Sequence, residues 1–344
     1  MSAEELKAKA RFESTNLGFL YRQFTKPRPI PSHVKLTDQI AIVTGSNGGL
    51  GFEASRHLLR LGLSQLIMAT RSQSKGDAAA NTLRKEFPRA TVSVWLVDQE
   101  SYDSVAAFAE RCKTLPRIDI VILNAALSLK TFALVPATGH ETGIQINYYS
   151  TALLAILLLP VLKAKRAAAG PGRRPPVLSI VGSDRHYMTT VQLRGGRVLP
   201  QFDRAEEYDQ MEWYSRGKVL LALFYSTLAR HVDPDDVLVT LVNPGFTKGT
   251  SLGRDFSPLI TAILTLMHAL IGRSTDVAAT TYVDAVVARG PEAHGEFLSD
   301  WTIKPFSELY YTPEGKELEK RLWEETMEEL NFAGASKILS DLKK

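Results

Sequence analysis

Cysteine is nearly missing from this chain: 344 residues hold one thiol, Cys112. One thiol closes no internal disulfide, and such sparing use suits a reducing compartment, so a cytoplasmic location is expected. Cys112 itself reads as a buried helix residue rather than a nucleophile. No Cys and His stand at zinc spacing, so no metal site is expected. Dense Lys/Arg stripes are also lacking. The net charge of +4 arises from 41 basic and 37 acidic residues mixed along the chain, which argues against nucleic acid as a partner and suits an anionic ligand. The N-terminal residues 1–11 are charged and lack the apolar core of a secretory signal. The longest apolar run, 152–162, contains Pro160 and is too short to span a bilayer. A second stretch, 259–271, is interrupted by Thr261, Thr265 and His268. It suits a pocket lid, a core helix or a surface dipping into lipid, peripheral membrane contact being the lesser option.

What is present is an ordinary globular composition, 44% hydrophobic and 23% charged, enough for a sizeable core. Residues 1–38 stand apart as an N-terminal arm. Its residues 2–13 pattern as a helix, Phe19, Leu20 and Tyr21 offer an anchor, and Pro27, Pro29 and Pro31 follow. The arm either wraps the domain behind it or trails as a partly disordered tail.

From residue 39 short apolar runs alternate with helical periodicity. Strands are expected at 39–43, 65–69, 91–97, 118–123, 177–181 and 237–242. Helices are expected at 52–61, 78–87, 101–113, 143–165, 213–230 and 277–287. This succession predicts an α/β architecture: a Rossmann-type doubly wound parallel sheet of about seven strands with helices on both faces, forming a catalytic domain over 39–300. Residues 301–344 are expected to be a C-terminal helical extension, with Leu318, Leu322, Thr326 and Leu330 at helical spacing. Two segments, 184–211 and 246–273, break the rhythm. Both follow the carboxyl ends of strands, where open α/β sheets bind ligands. The second is read as a substrate lid.

The first strand runs into Thr44-Gly45-Ser46-Asn47-Gly48-Gly49-Leu50-Gly51, which opens a helix. Glycines let the chain turn sharply and let a pyrophosphate approach the backbone, and the helix N-terminus offers unpaired N–H groups to the anion. Strand before and helix after are the context that gives such a segment meaning. Gly45, Ser46, Asn47, Gly49, Leu50 and Gly51 are therefore candidate cofactor contacts. At the end of the second strand an acidic residue would favour NAD. This chain has Arg71 there, with Lys75 near, and no carboxylate beside them in sequence. A cation pairs with a 2′-phosphate, so the expected cofactor is NADP(H). The alternative is that Arg71 stacks on adenine. Asp98 either accepts from the adenine amino group or caps the next helix. Asn124, ending the fourth strand, can tie strand ends together and border the cofactor.

Hydride transfer to a carbonyl needs a proton donor at the developing alkoxide. A tyrosine serves if a nearby cation favours its phenolate. Tyr214 and Lys218 are four residues apart, which puts both on one helix face. Of the 11 tyrosines only Tyr214 has Lys at that spacing. Ser183, ending the fifth strand, could bond the substrate oxygen or act as a strand-end cap. Asn147 sits in an apolar helix where Asn is unfavourable. It either holds a water that reaches Lys218 or makes a plain buried hydrogen bond to backbone.

Taken together and in this order, Thr44–Gly51, Asp98, Asn124, Asn147, Ser183, Tyr214/Lys218 and Asn243-Pro244-Gly245 resemble the short-chain dehydrogenase/reductase superfamily over about residues 39–300. The retinol-dehydrogenase-like branch, and within it fungal natural-product reductases, is the most similar. The resemblance implies that Tyr214 is the general acid/base, that Lys218 binds the nicotinamide ribose and depresses the tyrosine pKa, that Ser183 polarises the substrate oxygen, and that Asn147 holds a relay water. It places Pro244 and Gly245 beside the nicotinamide, with Thr247 or Thr250 bonding its amide. It implies an NADP-dependent enzyme acting on a hydrophobic carbonyl or alcohol, as monomer or homodimer. Three departures stand out: Ala126 and Gly182 replace a frequent Gly and Ser, and Gly249 occupies the usual place of the threonine. A cofactor-sensing regulator on the same fold is the alternative function, although such proteins commonly lose Tyr or Lys.

Overall fold

The computed structural model describes residues 3–170, 172–249 and 258–343. An eight-stranded sheet runs through the molecule in the order β3-β2-β1-β4-β5-β6-β7-β8. Its members are β1 (Ile40–Thr44), β2 (Gln65–Thr70), β3 (Thr91–Leu96), β4 (Ile120–Leu123), β5 (Val177–Val181), β6 (Leu238–Asn243), β7 (Phe297–Ser299) and β8 (Thr302–Lys304). All pairings are parallel except β7 with β8. The chain starts in the middle, winds outward to β3, returns to β4 and winds the other way, which gives the doubly wound topology and a crevice between the ends of β1 and β4.

Strands β1, β4, β5 and β6 are buried at every residue because helices cover both faces, which is why they read as unbroken apolar runs. Edge strand β3 has exposed positions at Thr91 and Leu96. On one face lie α3 (Gly49–Arg60), α4 (Gln73–Glu86) and α10 (Thr275–Val283). They bury Ala54, Leu58, Leu83 and Tyr282 in one apolar cluster. On the other face lie α5 (Tyr102–Cys112), α7 (Ser150–Ala168) and α8 (Gln210–Ala229). There Phe108, Leu154 and Leu221 join a larger cluster that also takes Leu318, Leu322 and Leu330. Cys112 is buried in that cluster, and burial pushes its thiol up to about 12.

The long apolar helix is one rod in three parts: α6 (Thr142–Ile144), a π-turn (Gln145–Tyr149) and α7. Among the described residues it is the one helix long and apolar enough to cross a membrane, yet 89% of its most apolar window is buried inside the fold. It is a core helix here. The other apolar stretch forms α9 (Pro258–Ile271), and its Leu266 and Leu270 are 61% and 70% exposed, so the described end of that helix is no part of the core.

The sheet has one strand more than expected, and it continues past the expected boundary at 300. β7 and β8 are three residues each, joined by Asp300 and Trp301, both at positive φ (53° and 57°). Such a turn normally announces itself by Asn-Gly or Asp-Gly; Asp-Trp carries no such signal. The conformation is held from outside. Asp300 pairs with Arg273 at 2.8 Å, and the Trp301 indole N–H donates to Thr280 at 3.0 Å.

The N-terminal arm forms α1 (Ala3–Glu13) and α2 (Asn16–Phe24), and it lies against the body. Arg22 is 2% exposed; its guanidinium donates to the Glu13 carboxylate at 2.7 Å and sits 3.8 Å from Asp184. Lys304 of β8 closes on Glu13 at 2.7 Å. At the far end of the chain, α11 (Pro313–Glu329) and α12 (Ala335–Leu342) pack on α8 and α7. Buried Glu325 of α11 accepts from the N–H groups of Val198 and Leu199 at 2.8 and 2.9 Å, which anchors the long 184–211 segment.

Candidate active site

The carboxyl ends of β1 and β4 are tied together by side chains. Thr44 Oγ1 accepts from the N–H groups of Asn124 and Ala125 at 2.9 and 3.0 Å, and the Asn124 amide donates to the Thr44 carbonyl at 2.9 Å. This is the tie expected of Asn124, and Ala126 leaves it intact. The glycine-rich turn lies on top. Gly45 has φ +63°, and a Cβ there would stand 2.9 Å from Ala125 Cα. A Cβ on Gly51 would come within 2.6 Å of both Asn124 Nδ2 and the Gly45 carbonyl. Gly48, the N-cap residue just before α3, supplies no side-chain cap and has open space beside it. The first N–H groups of α3 are therefore left for a ligand. Ser46 Oγ is buried in the turn without a hydrogen-bond partner. An orphaned hydroxyl, uncapped N–H groups and glycines packed against the strand ends together fit a dinucleotide pyrophosphate.

Arg71 follows β2, and Lys75 lies in the first turn of α4; both are exposed. Lys75 lines an open depression with Asn47, Gly48 and Phe52. The expectation that no carboxylate stands near Arg71 needs correction: Glu100, from the loop after β3, forms an ion pair with it. Sequence distance hid this contact. Asp98 is not the cap of α5, because Ser101 takes that place by accepting from the Ser104 N–H at 3.2 Å. The Asp98 carboxylate accepts from the Glu100 N–H at 3.0 Å instead.

The second half of the site comes from β5, α8 and the long helix. Ser183 stands two residues past the end of β5, and its hydroxyl accepts from the Arg185 N–H at 3.2 Å, the local cap role. It also lies near enough to the Tyr214 phenol to pull the tyrosine pKa down. Lys218 is 3% exposed; its ammonium donates to the Val181 carbonyl at 2.8 Å and lies 5.7 Å from the centre of the Tyr214 ring. Burial lowers the Lys218 pKa to about 8. The expected depression of the tyrosine is not what this structure shows. Burial pushes Tyr214 up to about 12, with Asp184 acting in the same direction, while Ser183 and Arg185 pull against it. The lysine ammonium, bonded to the Val181 carbonyl, is not among the charges that move the tyrosine.

Asn147 falls inside the π-turn. Its amide both accepts from the Leu127 N–H at 2.9 Å and donates to the Leu127 carbonyl at 2.7 Å. The side chain thus makes the plain buried bond to backbone and pins the loop after β4, with one N–H and one oxygen lone pair of the amide left over.

At the end of β6, Asn243 Oδ1 accepts from the N–H groups of Gly245 and Asp184 at 3.1 and 3.2 Å, joining the Pro244-Gly245 turn to β5. Gly245 has φ +78°, and a Cβ there would meet Arg273 at 2.7 Å. Buried Thr247 donates to the Gly245 carbonyl at 2.9 Å. Thr250 lies outside the described residues. Sequence reasoning missed the residues that hold this corner. Arg273 donates to the Pro244 carbonyl at 3.1 Å and to the Arg22 carbonyl, and Gln23 bonds the Phe246 carbonyl at 2.6 Å, the Ile271 carbonyl at 2.6 Å and the Phe246 N–H at 3.1 Å. No periodicity or motif links Gln23 to residues more than two hundred positions away.

The structure thus gathers Ser183, Tyr214 and Lys218 at one end of the sheet, with a turn suited to a pyrophosphate across the crevice. A phenol beside a hydroxyl, next to a buried ammonium, can donate a proton to an oxygen placed between them.

Comparison with known proteins places the chain in a family. A family model described as short chain dehydrogenase matches residues 39–171. "Short chain dehydrogenase virL" from Hypocrea virens is 56% identical over 99% of both chains. "Short chain dehydrogenase/reductase mfmJ" from Annulohypoxylon moriforme is 45% identical over 94% of both, and "Short-chain dehydrogenase fogG" from Aspergillus ruber is 39% identical over 93% of both. Among solved structures, a Pseudomonas aeruginosa RhlG/NADP complex superposes with a TM-score of 0.58 at 19% identity, over 78% of this chain and 97% of that one. An NADPH-dependent 3-quinuclidinone reductase from Rhodotorula rubra has the same TM-score at 20% identity, over 80% and 96%. These two establish the fold, and the full-length relatives establish the family: the chain belongs to the short-chain dehydrogenases, a family of oxidoreductases.

Proposed function

We propose that this protein is an NADPH-dependent oxidoreductase that interconverts a carbonyl and an alcohol on a predominantly apolar small molecule, a secondary metabolite being the expected kind. The observation that carries the reading is the Lys218 ammonium 5.7 Å from the centre of the Tyr214 ring, with Ser183 beside the phenol, at the sheet end that also bears the open turn. NADP-bound and NADPH-dependent proteins among the structural neighbours support the cofactor choice.

In this reading Gly45 to Gly51 and Ser46 hold the pyrophosphate. Arg71 and Lys75 face the 2′-phosphate, and the phosphate replaces Glu100 as partner of Arg71. Asp98 and Asn124 border the adenine and the ribose. Pro244, Gly245 and Thr247 line the nicotinamide side, and the 246–273 segment acts as lid over it. NADPH supplies the hydride. Ser183 and Tyr214 hydrogen-bond the substrate oxygen and polarise the carbonyl. As the carbon accepts the hydride, Tyr214 gives its proton to the developing alkoxide, and a proton from solvent restores the phenol. A phenol held near 12 stays protonated at neutral pH, which suits it to donate in the reductive direction. Lys218, already anchored on Val181, offers its remaining N–H donors to the nicotinamide ribose. Asn147 contributes by fixing Leu127, and with it the loop that walls the substrate side.

The test is oxidation of reduced nicotinamide with a panel of apolar ketones, aldehydes and quinones. NADPH should be consumed with at least one of them and preferred over NADH. A preference for NADH, or cofactor binding without turnover of any compound, contradicts the reading.

A further inference from the structure

The cleft beside Tyr214 is small, about 10 Å³, room for one hydroxyl group, and has walls of two kinds. Leu127, Leu129, Tyr208 and Trp213 line it with apolar and aromatic surface. The polar ends of the two aromatics are already used. The Tyr208 hydroxyl donates to the Leu129 carbonyl at 2.5 Å and the Trp213 indole N–H to the Phe202 carbonyl at 3.0 Å. They therefore present ring surface to the cleft, with centroids 5.5 Å apart.

Three other lining residues are in the opposite condition. Glu141, Ser128 and Gln210 line the same cleft, and Glu141 Oε1, Ser128 Oγ and Gln210 Nε2 are all buried without a hydrogen-bond partner. Buried polar atoms are usually paired, and of the thirteen buried side-chain atoms without a hydrogen-bond partner among the described residues three gather at this one cleft. Glu141 is 1% exposed. Its Oε2 accepts from the Ile144 N–H at 2.8 Å and caps α6, with the Gly143 backbone also turned toward the carboxylate. One oxygen suffices for a cap, and Ser, Thr, Asp or Asn does that task with a shorter side chain. No Lys, Arg or His among the described residues pairs with this carboxylate. Asp203, an acid, accepts from the Glu141 N–H at 2.8 Å, and its charge raises the Glu141 pKa further. A buried carboxylate with a spare oxygen and no cation is costly unless a donor arrives.

We propose that Glu141, Ser128 and Gln210 form a polar subsite that takes a hydroxyl group of the substrate, so that the substrate class is a hydroxylated carbonyl compound on an aromatic or apolar body. The hydroxyl donates to Glu141 Oε1 and accepts from Gln210 Nε2, with Ser128 Oγ as donor or acceptor; the rings of Tyr208 and Trp213 flank it, and the body of the substrate lies outside this small cleft, toward Tyr214. This deepens the reading of the site as a carbonyl reductase and rests on it, because the subsite shares its cleft with Tyr214. It corrects a purely hydrophobic pocket to one with a polar floor. A site built to bond a hydroxyl rejects the analogue that cannot donate far more strongly than an apolar pocket rejects a changed methylene.

The probes are the isomeric hydroxyacetophenones and their methyl ethers, given to the NADPH-loaded protein for turnover and to the NADP-loaded protein for calorimetric binding. For at least one isomer the phenol should exceed its ether by about 10²-fold or more in kcat/KM, mostly through KM. In Glu141→Gln, which keeps a carbonyl oxygen for the cap, that ratio should fall toward one; Gln210→Leu should lower it as well. Thermal melting of both variants checks the fold. Equal kcat/KM and equal affinity for phenol and ether in the wild type, or a ratio unchanged in both variants, overturns the subsite. Absence of binding of every probe to the cofactor-loaded protein overturns it too. If phenols bind better than ethers, and lose that advantage in Glu141→Gln, while no probe is reduced, the subsite stands and the reductase reading fails.

Discussion

The cofactor side and the substrate side of the sheet end are built by different means. Around the glycine-rich turn the parts are close in sequence or sit on neighbouring strands, and the contacts are backbone to backbone or through short side chains such as Thr44 and Asn124. The substrate side is assembled from distant segments. Arg22 and Gln23 come from the arm, Phe246 and Ile271 from the two feet of the proposed lid, Arg273 and Asp300 from beyond it, and Glu141 from the start of the long helix. Here long charged and amide side chains do the joining, and several are almost fully buried. A binding mode common to many substrates can rest on a compact local device. A pocket fitted to one substrate class is free to recruit whatever segments reach it.

The largest effect that would sharpen this contrast is expected at Arg22. Arg22→Ala removes a buried cation that Glu13 binds at 2.7 Å and that also faces Asp184. Breaking such a pair costs about 3–5 kcal/mol. The arm should detach, seen as a large fall in melting temperature and rapid proteolysis within residues 1–38. Unchanged melting would show that the arm is an ornament and not a strut.

On the cofactor side Gly51→Ala should act locally. The added Cβ meets a backbone carbonyl and the Asn124 amide at 2.6 Å, and overpacking of this kind costs about 1–3 kcal/mol. NADPH affinity, read by fluorescence titration, should drop roughly 10- to 100-fold by the same energy. The arm should stay as resistant to trypsin as in the wild type. Equal damage to arm and turn would break the distinction between the two regions.

Much of the cofactor side is legible in the sequence because its logic is local. A strand, a glycine-rich turn and a helix are consecutive, and Tyr214 and Lys218 sit one helical turn apart. The central strands are readable for a related reason: burial on both faces leaves a short, unbroken apolar run that a solvent-facing segment does not show. What cannot be read is what the fold brings together. β7 and β8 are too short for a pattern, and their turn is held by Arg273 and Thr280 rather than by turn-forming residues. Glu100 reaches Arg71 from the next strand's loop. Asn147 stands out in sequence as a polar residue in an apolar helix, but its purpose depends on the position of Leu127. The tyrosine pKa runs against expectation because spacing gives a common face and not the direction in which an ammonium points.

A smaller effect follows from the Arg71–Glu100 pair. If the 2′-phosphate displaces Glu100, Arg71→Ala should raise KM for NADPH about 10-fold or more while leaving KM for NADH nearly unchanged, the loss of one charge-assisted contact. Equal increases for both cofactors would mean that Arg71 only stacks on adenine.

The smallest effect concerns the distant wall of the substrate side. His140 contacts Asp203 at 3.0 Å and Glu329 of α11 at 3.1 Å, and stacks on Tyr149. Burial alone would lower its pKa, but the two carboxylates outweigh burial and hold it up at about 9, above the ordinary 6.5. A raised histidine contributes its full stability below the unfolded value and loses it as pH rises through the folded one. Melting temperature should therefore decline modestly between about pH 6.5 and pH 9, and this slope should shrink in His140→Gln. A slope identical in the two proteins would remove His140 from the account.

The central claim is that Tyr214 gives the proton, and it is tested most directly by Tyr214→Phe. The variant keeps the ring and loses the hydroxyl. The account predicts NADPH binding close to wild type by fluorescence titration, with kcat reduced about 10²- to 10⁴-fold on any carbonyl compound the wild type reduces. Turnover near the wild-type rate in a variant that still binds NADPH would contradict it.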